Sequence, residues 1–146
     1  MFDLVADIER YPEFVPLCLG SRIRSRTTDT TGADVLVVDM YVGQLGIRER
    51  FVTRDTLNRS EMTIHIDYLE GPFRAFENLW SFHEDGPESC RVEFFAEYEF
   101  RNRMLGLLMG SMFEMAYRSF SAAFSARADI IYGRPSLGVR VNARSL

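Results

Sequence analysis

Lysine is absent from the chain. All 17 positive charges are arginine, which excludes chemistry that needs a lysine Schiff base or a P-loop lysine. The replacement is consistent with an arginine-biased genome. Cysteine is scarce too. Cys18 and Cys90 are far apart and form no Cys-x-x-Cys pair, which points to two reduced thiols in a cytosolic protein rather than a disulfide framework. The two histidines, His65 and His83, with those two thiols match no zinc spacing. Long apolar runs are also missing. The longest, Met104 to Phe113, covers about ten residues and includes Gly and Ser, against about 20 for a membrane span. The opening residues carry Asp3, Asp7 and Glu9, unlike a secretory or mitochondrial leader. Positive charge is not in excess. A net charge of −4 disfavours nucleic-acid binding by bulk phosphate neutralisation and leaves only a local arginine patch.

What is present is apolar and aromatic. The 146 residues fit one domain, and a chain this long buries enough surface to fold without a staple. Phe is abundant at 12, with seven Met. Phe2, Val5 and Ile8 recur on one helical face over Met1 to Ile8. Pro12 disfavours helix at Tyr11, which ends the first helix near Arg10, and Pro12 opens a second short helix. From Gly20 the apolar period becomes two and predicts six strands, at about 21–30, 34–44, 46–57, 61–70, 74–84 and 89–100. Turn-like separators make them an antiparallel meander. Phe76, Asn78, Trp80 and Phe82 share one face of the fifth strand. Val92, Phe94, Ala96, Tyr98 and Phe100 share one face of the sixth, opposite Arg91, Glu93, Glu97 and Glu99. One sheet face is thus buried and aromatic, the other charged and wet.

Arg103 to Tyr132 predicts a long helix without Pro, capped by Gly133. Leu105, Leu108, Met112, Met115, Phe120, Ala123 and Ile130 form its expected apolar stripe. Gly106, Gly110, Glu114, Arg118, Ser121 and Ser125 face the other way. Residues 1–133 form the expected domain, with the helix laid across the concave sheet face. Residues 134–146 are expected to be a mobile tail.

Three segments carry a family resemblance: Val5 to Pro16, ending near Cys18; Gly71-Pro72-Phe73 with Leu79-Trp80-Ser81-Phe82; and Phe124-Ser125-Ala126-Arg127-Ala128. Together they resemble the START-like proteins that bind coenzyme Q, a branch shared with bacterial ribosome-association toxins within the polyketide cyclase and lipid transport superfamily. Leu17 stands where that family commonly has an aromatic residue. The resemblance implies an α+β helix-grip fold. A curved antiparallel sheet of six strands would wrap around the long C-terminal helix, with two short helices at the start. The family has a seventh strand before the first helix, and it is expected to lie outside this chain. Otherwise the last strand keeps an exposed edge. The alternating tail, Leu137, Val139, Val141 and Ala143, is the other candidate for that slot.

The resemblance further implies non-catalytic binding of ubiquinone, a polyprenyl quinone, in an apolar cavity, with no other cofactor, metal or catalytic residue. Phe14, Phe51, Asn78, Trp80, Phe82, Phe94, Tyr98, Leu108, Met112 and Met115 are the expected ligand-binding residues, with Asn78 and Tyr98 orienting the ring. Phe73, Met104, Leu105 and Met109 are the expected gate and membrane contacts. Expected partners are the quinone lipid, a transient membrane surface, and respiratory or ubiquinone-biosynthesis complexes. The expected place is the bacterial cytoplasm, peripheral on the inner membrane. Two alternatives remain: a ribosome-binding protein that blocks subunit joining, which the acidic balance disfavours, and a cyclase or aromatase. His65 and His83 share the outward parity of their strands, so the sequence holds no inward triad for an enzyme. Plain core packing is the alternative for the Met cluster and the inward aromatics. Gly106 and Gly110 are candidates for close packing or local opening of the helix. Glu49, on the parity of Ile47 and Phe51, is a candidate inward carboxylate paired with an arginine.

Overall fold

The computed structural model describes residues 1–87, 89–133 and 139–145. Helix α1 (Phe2–Ala6) and a 3-10 helix (Ile8–Glu13) precede six strands: β1 (Cys18–Thr28), β2 (Asp34–Gln44), β3 (Ile47–Asn58), β4 (Thr63–Glu70), β5 (Phe73–Glu84) and β6 (Cys90–Phe100). Helix α2 (Arg103–Tyr132) and strand β7 (Val139–Ser145) complete the chain. The first helix ends sooner than the pattern implies, and the second starts before Pro12 rather than at it. The elbow between them is held by Tyr11, whose hydroxyl donates to the Val5 carbonyl at 2.6 Å.

The sheet runs β1 to β7 in sequence order. Strands β1 to β6 pair antiparallel, as the short turns require. The tail departs from expectation. Residues 134–138 and 146 lie outside the described residues, but Val139–Ser145 pairs parallel with β6, and Arg144 reaches Glu97 at 2.8 Å. The unpaired N–H and C=O groups of β6 form a template that an alternating segment can satisfy, so the tail takes the slot assigned to a strand outside the chain.

The α2 cap is as expected. Asn102 Oδ1 accepts from the Leu105 N–H at 2.9 Å, and Gly133 adopts φ 66. The rotation of α2 is not as expected. Its buried face is Met109, Met112, Phe113, Ala116, Tyr117, Phe124 and Ala128. Leu108 is 55% exposed, Met115 60% and Ile130 75%. Apolar residues occupy much of the circumference in the first half of this helix, so periodicity alone does not fix its rotation. Packing decides it. Aromatic side chains bury about 150–250 Å² each, and the aromatic sheet face draws Phe113, Tyr117 and Phe124 inward. Ala116 and Ala128 allow the close approach. Rings then interlock across the interface, with Trp80 to Phe124 at 4.9 Å and Phe73 to Phe113 at 5.4 Å between centroids.

On the outer sheet face Asp39 is buried beneath two guanidiniums. Arg24 binds it through two hydrogen bonds, of 2.6 and 3.2 Å, and Arg50 through two of 2.9 and 3.1 Å. Hydrogen bonding from Arg24, joined by Arg50 and opposed by burial, holds this carboxyl below the usual range. Arginine does pair a buried carboxylate here, but the carboxylate is Asp39, while Glu49 is only half-buried.

Candidate ligand-binding site

An apolar cavity of about 80 Å³ lies between the sheet and α2. Each strand from β2 to β6 contributes inward residues, because alternate side chains point to the concave face. Phe51, Asn78, Trp80 and Phe94, all expected ligand contacts, line it with Met40, Ile66, Phe113 and Tyr117. An outer groove of about 380 Å³ holds two more expected residues, Met112 and Met115, with Leu19, Gly43 and Gln44. Cavity and groove share Pro16, Leu17, Cys18 and Ala116 in their walls, so the two lie side by side with these residues between them. Leu17 sits there with φ 65, a left-handed conformation uncommon for leucine. Leu45 and Met62 adopt it too, in the turns after β2 and β3.

The other expected contacts lie elsewhere. Phe82 packs behind Trp80 and against Phe2. Tyr98 is buried beside Phe113 and Tyr117 without lining the cavity. Phe14 is half-buried against Tyr11 and Phe124. Leu108 faces away, for the rotational reason given above. Among the expected gate residues only Met104 is an exposed apolar side chain, and Leu105 is half-buried. Met109 is fully buried. Phe73 is buried at the centre of an aromatic cluster, 4.8 Å from Phe76 and 5.1 Å from Phe100 between centroids. The register shift between Phe73 and Ala75 is the cause: one extra residue reverses the parity, so Phe73 turns inward with Phe76.

Two polar residues of the cavity wall are absent from the expected set. Thr53 and Asp55 are each 2% exposed and line the cavity. Their parity is that of Ile47, Glu49 and Phe51, so the alternation that singled out Glu49 also reaches Asp55. The Thr53 hydroxyl donates to Asp55 Oδ1 at 2.6 Å. Burial, with the nearby Asp67 charge adding to it against the Thr53 hydrogen bond, pushes the Asp55 carboxyl up to about 7. Register places Asp55 opposite Ile66 and Ile66 opposite Asn78. Asp55 and Asn78 therefore flank Ile66 in one row across three strands, their Cα atoms about 10 Å apart. The Asn78 amide N–H donates toward the Tyr117 oxygen, while the buried Asn78 Oδ1 has no partner. Burial also raises the Cys18 thiol to about 11.

The three resemblance segments converge on this wall. Arg127 reaches Glu13 at 2.7 Å and lies 5.3 Å over the Phe14 ring. Phe124 meets Tyr11 and Trp80. Both histidines face outward, His65 to Glu77 at 2.7 Å and His83 to Glu93 at 3.8 Å. Among the described residues no group of three or more His, Cys, Asp or Glu is arranged around a metal site, and no helix is long and apolar enough to cross a membrane.

A curved sheet closed on a long helix around an apolar cavity defines a START-like protein. The chain belongs to the polyketide cyclase/dehydrase and lipid transport family, whose model matches residues 1–125. It is 36% identical over 132 residues to the ribosome association toxin RatA of Escherichia coli K12, covering 90% of this chain and 80% of that protein. It is 25% identical over 152 residues to the mitochondrial coenzyme Q-binding protein COQ10 homolog B of Xenopus laevis, covering 99% of this chain and 58% of that one. The solution structure of the 18 kDa protein CC1736 from Caulobacter crescentus superimposes with a TM-score of 0.70 at 31% identity, covering 91% of this chain and 88% of that one.

Proposed function

We propose that this protein is a non-catalytic carrier for a polyprenyl quinone, with ubiquinone as the ligand, serving respiratory electron transport or ubiquinone synthesis. The observation that carries the reading is an apolar cavity with a more open apolar groove beside it, the two sharing Pro16, Leu17, Cys18 and Ala116 in their walls. The cavity, with polar groups in one wall, suits a ring. The groove, lined by Leu17, Leu19, Met112 and Met115, suits an isoprenoid tail. Each buried CH₂ contributes about 0.8 kcal/mol, so one isoprene unit contributes roughly 4 kcal/mol.

Size sets the mechanism. An apolar cavity of about 150 Å³ admits benzene, and this one is about 80 Å³. A quinone ring enters only as the wall yields. Met40 and Leu17 both belong to that wall. Methionine has three rotatable bonds and adapts at low cost. Exchange then occurs where apolar side chains rim the groove and the start of α2: Leu19, Leu45, Met104, Leu107 and Met115 are all exposed. This rim, rather than Phe73, is the surface offered to a membrane.

The similarity to RatA favours a second reading, association with the ribosome. The net charge of −4 and the absence of lysine weigh against a surface that neutralises RNA phosphates. One experiment separates the two. The protein is purified from a quinone-producing bacterium, extracted with organic solvent and analysed by mass spectrometry, while the same lysate is run on a sucrose gradient. Co-purifying ubiquinone, lost in a folded Phe94→Asp variant and kept in His65→Ala and His83→Ala, supports the carrier. Absence of quinone together with co-sedimentation on ribosomes sinks it.

A further inference from the structure

We infer that Asp55 and Asn78 form the anchor for the ligand's head group, and that this anchor selects a ring bearing hydroxyl groups, the quinol, over the same ring bearing carbonyls. The inference rests on the quinone-carrier reading and deepens it.

The argument is a count of donors and acceptors. The Thr53 hydroxyl proton is committed to Asp55 Oδ1. The Asn78 amide N–H is turned to the Tyr117 oxygen, so the Tyr117 proton is not spent on Asn78, and Asn78 Oδ1 is left without a donor. Asn78 is only 7% exposed, so water does not make up the loss cheaply. The row between them is apolar, with Ile66 at its centre. What the anchor lacks is therefore a donor at Asn78 Oδ1. Asp55 adds a donor only while its carboxyl is neutral, a form that burial favours.

A carbonyl oxygen can only accept. It meets the Asp55 proton at one end and leaves Asn78 Oδ1 orphaned at the other. A hydroxyl donates and accepts. It donates to Asn78 Oδ1, and at Asp55 it accepts from the carboxyl or donates to the carboxylate. The quinol thus satisfies Asn78 Oδ1 in either state of Asp55, and the quinone does not. A buried polar atom left unpaired lowers affinity by about tenfold or more.

The test uses the full chain and decylubiquinone, oxidised or reduced, titrated without oxygen. Trp80, the single tryptophan, lines the cavity and reports binding by its fluorescence, with calorimetry as a second readout. The expected result is a quinol Kd at least about tenfold below the quinone Kd. In Asn78→Leu, which keeps the side-chain shape and removes the acceptor, the two Kd values are expected to converge, chiefly by weakening of the quinol. Circular dichroism checks that this variant folds, and the wild-type comparison stands without it. Equal affinities in the wild type, or a preference for the quinone, overturn the inference and leave the carrier reading intact. Binding of neither form overturns both.

Discussion

Replacing Asp55 by Asn should change how stability depends on pH, and the size of the change follows from the cavity. Asp55 is 2% exposed, and its carboxyl is raised from 3.8 to about 7 by burial. In the unfolded chain the same carboxyl titrates near 3.8. Below that value both states hold the proton, and Asp55 adds no pH dependence. Between about 4 and 7 the folded protein keeps a proton that the unfolded chain has released, so stability falls as pH rises, by about 1.4 kcal/mol per unit. Above about 7 both states are ionised and the deficit is constant. A shift of about three units makes it about 4 kcal/mol, an upper figure if the wall relaxes or admits water. Asn cannot ionise and keeps a carbonyl oxygen to accept from Thr53. The Asp55→Asn variant should match the wild type near pH 4 and exceed it by up to about 4 kcal/mol near pH 8. Asp39, whose depressed pKa adds stability as pH rises through the acid range, is common to both proteins and cancels in the difference. The assay is urea unfolding followed by Trp80 fluorescence between pH 4 and 8. Parallel stability profiles for the two proteins would refute the reasoning, because they would mean that Asp55 is ionised and solvated in the folded state.

Gly110→Ala should raise stability by about 1 kcal/mol, since an added Cβ meets nothing within 4 Å; thermal unfolding by circular dichroism measures it. If opening of α2 admits the ligand, the same variant exchanges quinone more slowly. Gly71→Ala should cost about 2 kcal/mol or more, because Gly71 has φ +142 and a Cβ there would lie 2.5 Å from Phe51 Cβ. Urea unfolding reads the loss, and quinone retention should fall with it, as Phe51 lines the cavity. The Cys18 thiol, raised to about 11, should resist iodoacetamide at pH 8 until the protein unfolds. Peptide mass spectrometry checks this, and rapid alkylation of Cys18 in the folded protein counts against the burial.

The strands were legible because one face of each is buried, and a period of two leaves little freedom in which residues turn inward. The alternation over Phe76–Phe82 and Val92–Phe100 appears in the structure as read. What sequence could not fix were choices made by distant partners. The rotation of α2 depends on rings of the sheet that its own period does not contain. Phe73 faces inward only because of a register shift defined by β6. The tail became β7 because β6 offered an open edge, a fact about the sheet and not about residues 139–145. Asp55 differs from these. Its parity with Phe51 was available, but an acid in a strand reads as a solvent-facing residue, and only the depth of the cavity overrides that reading.

The polar row then bears on what the cavity is for. A core selected only for stability would fill this wall with apolar side chains, since a buried carboxyl at neutral pH destabilises the fold and an orphaned amide oxygen costs about 1–3 kcal/mol. The rest of the interior follows the apolar rule closely: Leu36, Val38, Ala96, Met109 and Phe124 have no measurable exposure. Asp39, on the outer face, is buried with its charge paired by two arginines, whereas Asp55 and Asn78 lie in one cross-strand row of the cavity wall without a cation to pair them. Local violations of packing rules concentrate where structure serves something other than itself. A solvated ribosome-docking face would give no reason for polar groups 93–98% buried behind α2. A ligand that completes their hydrogen bonds would give one, and would recover on binding the stability that the row forgoes.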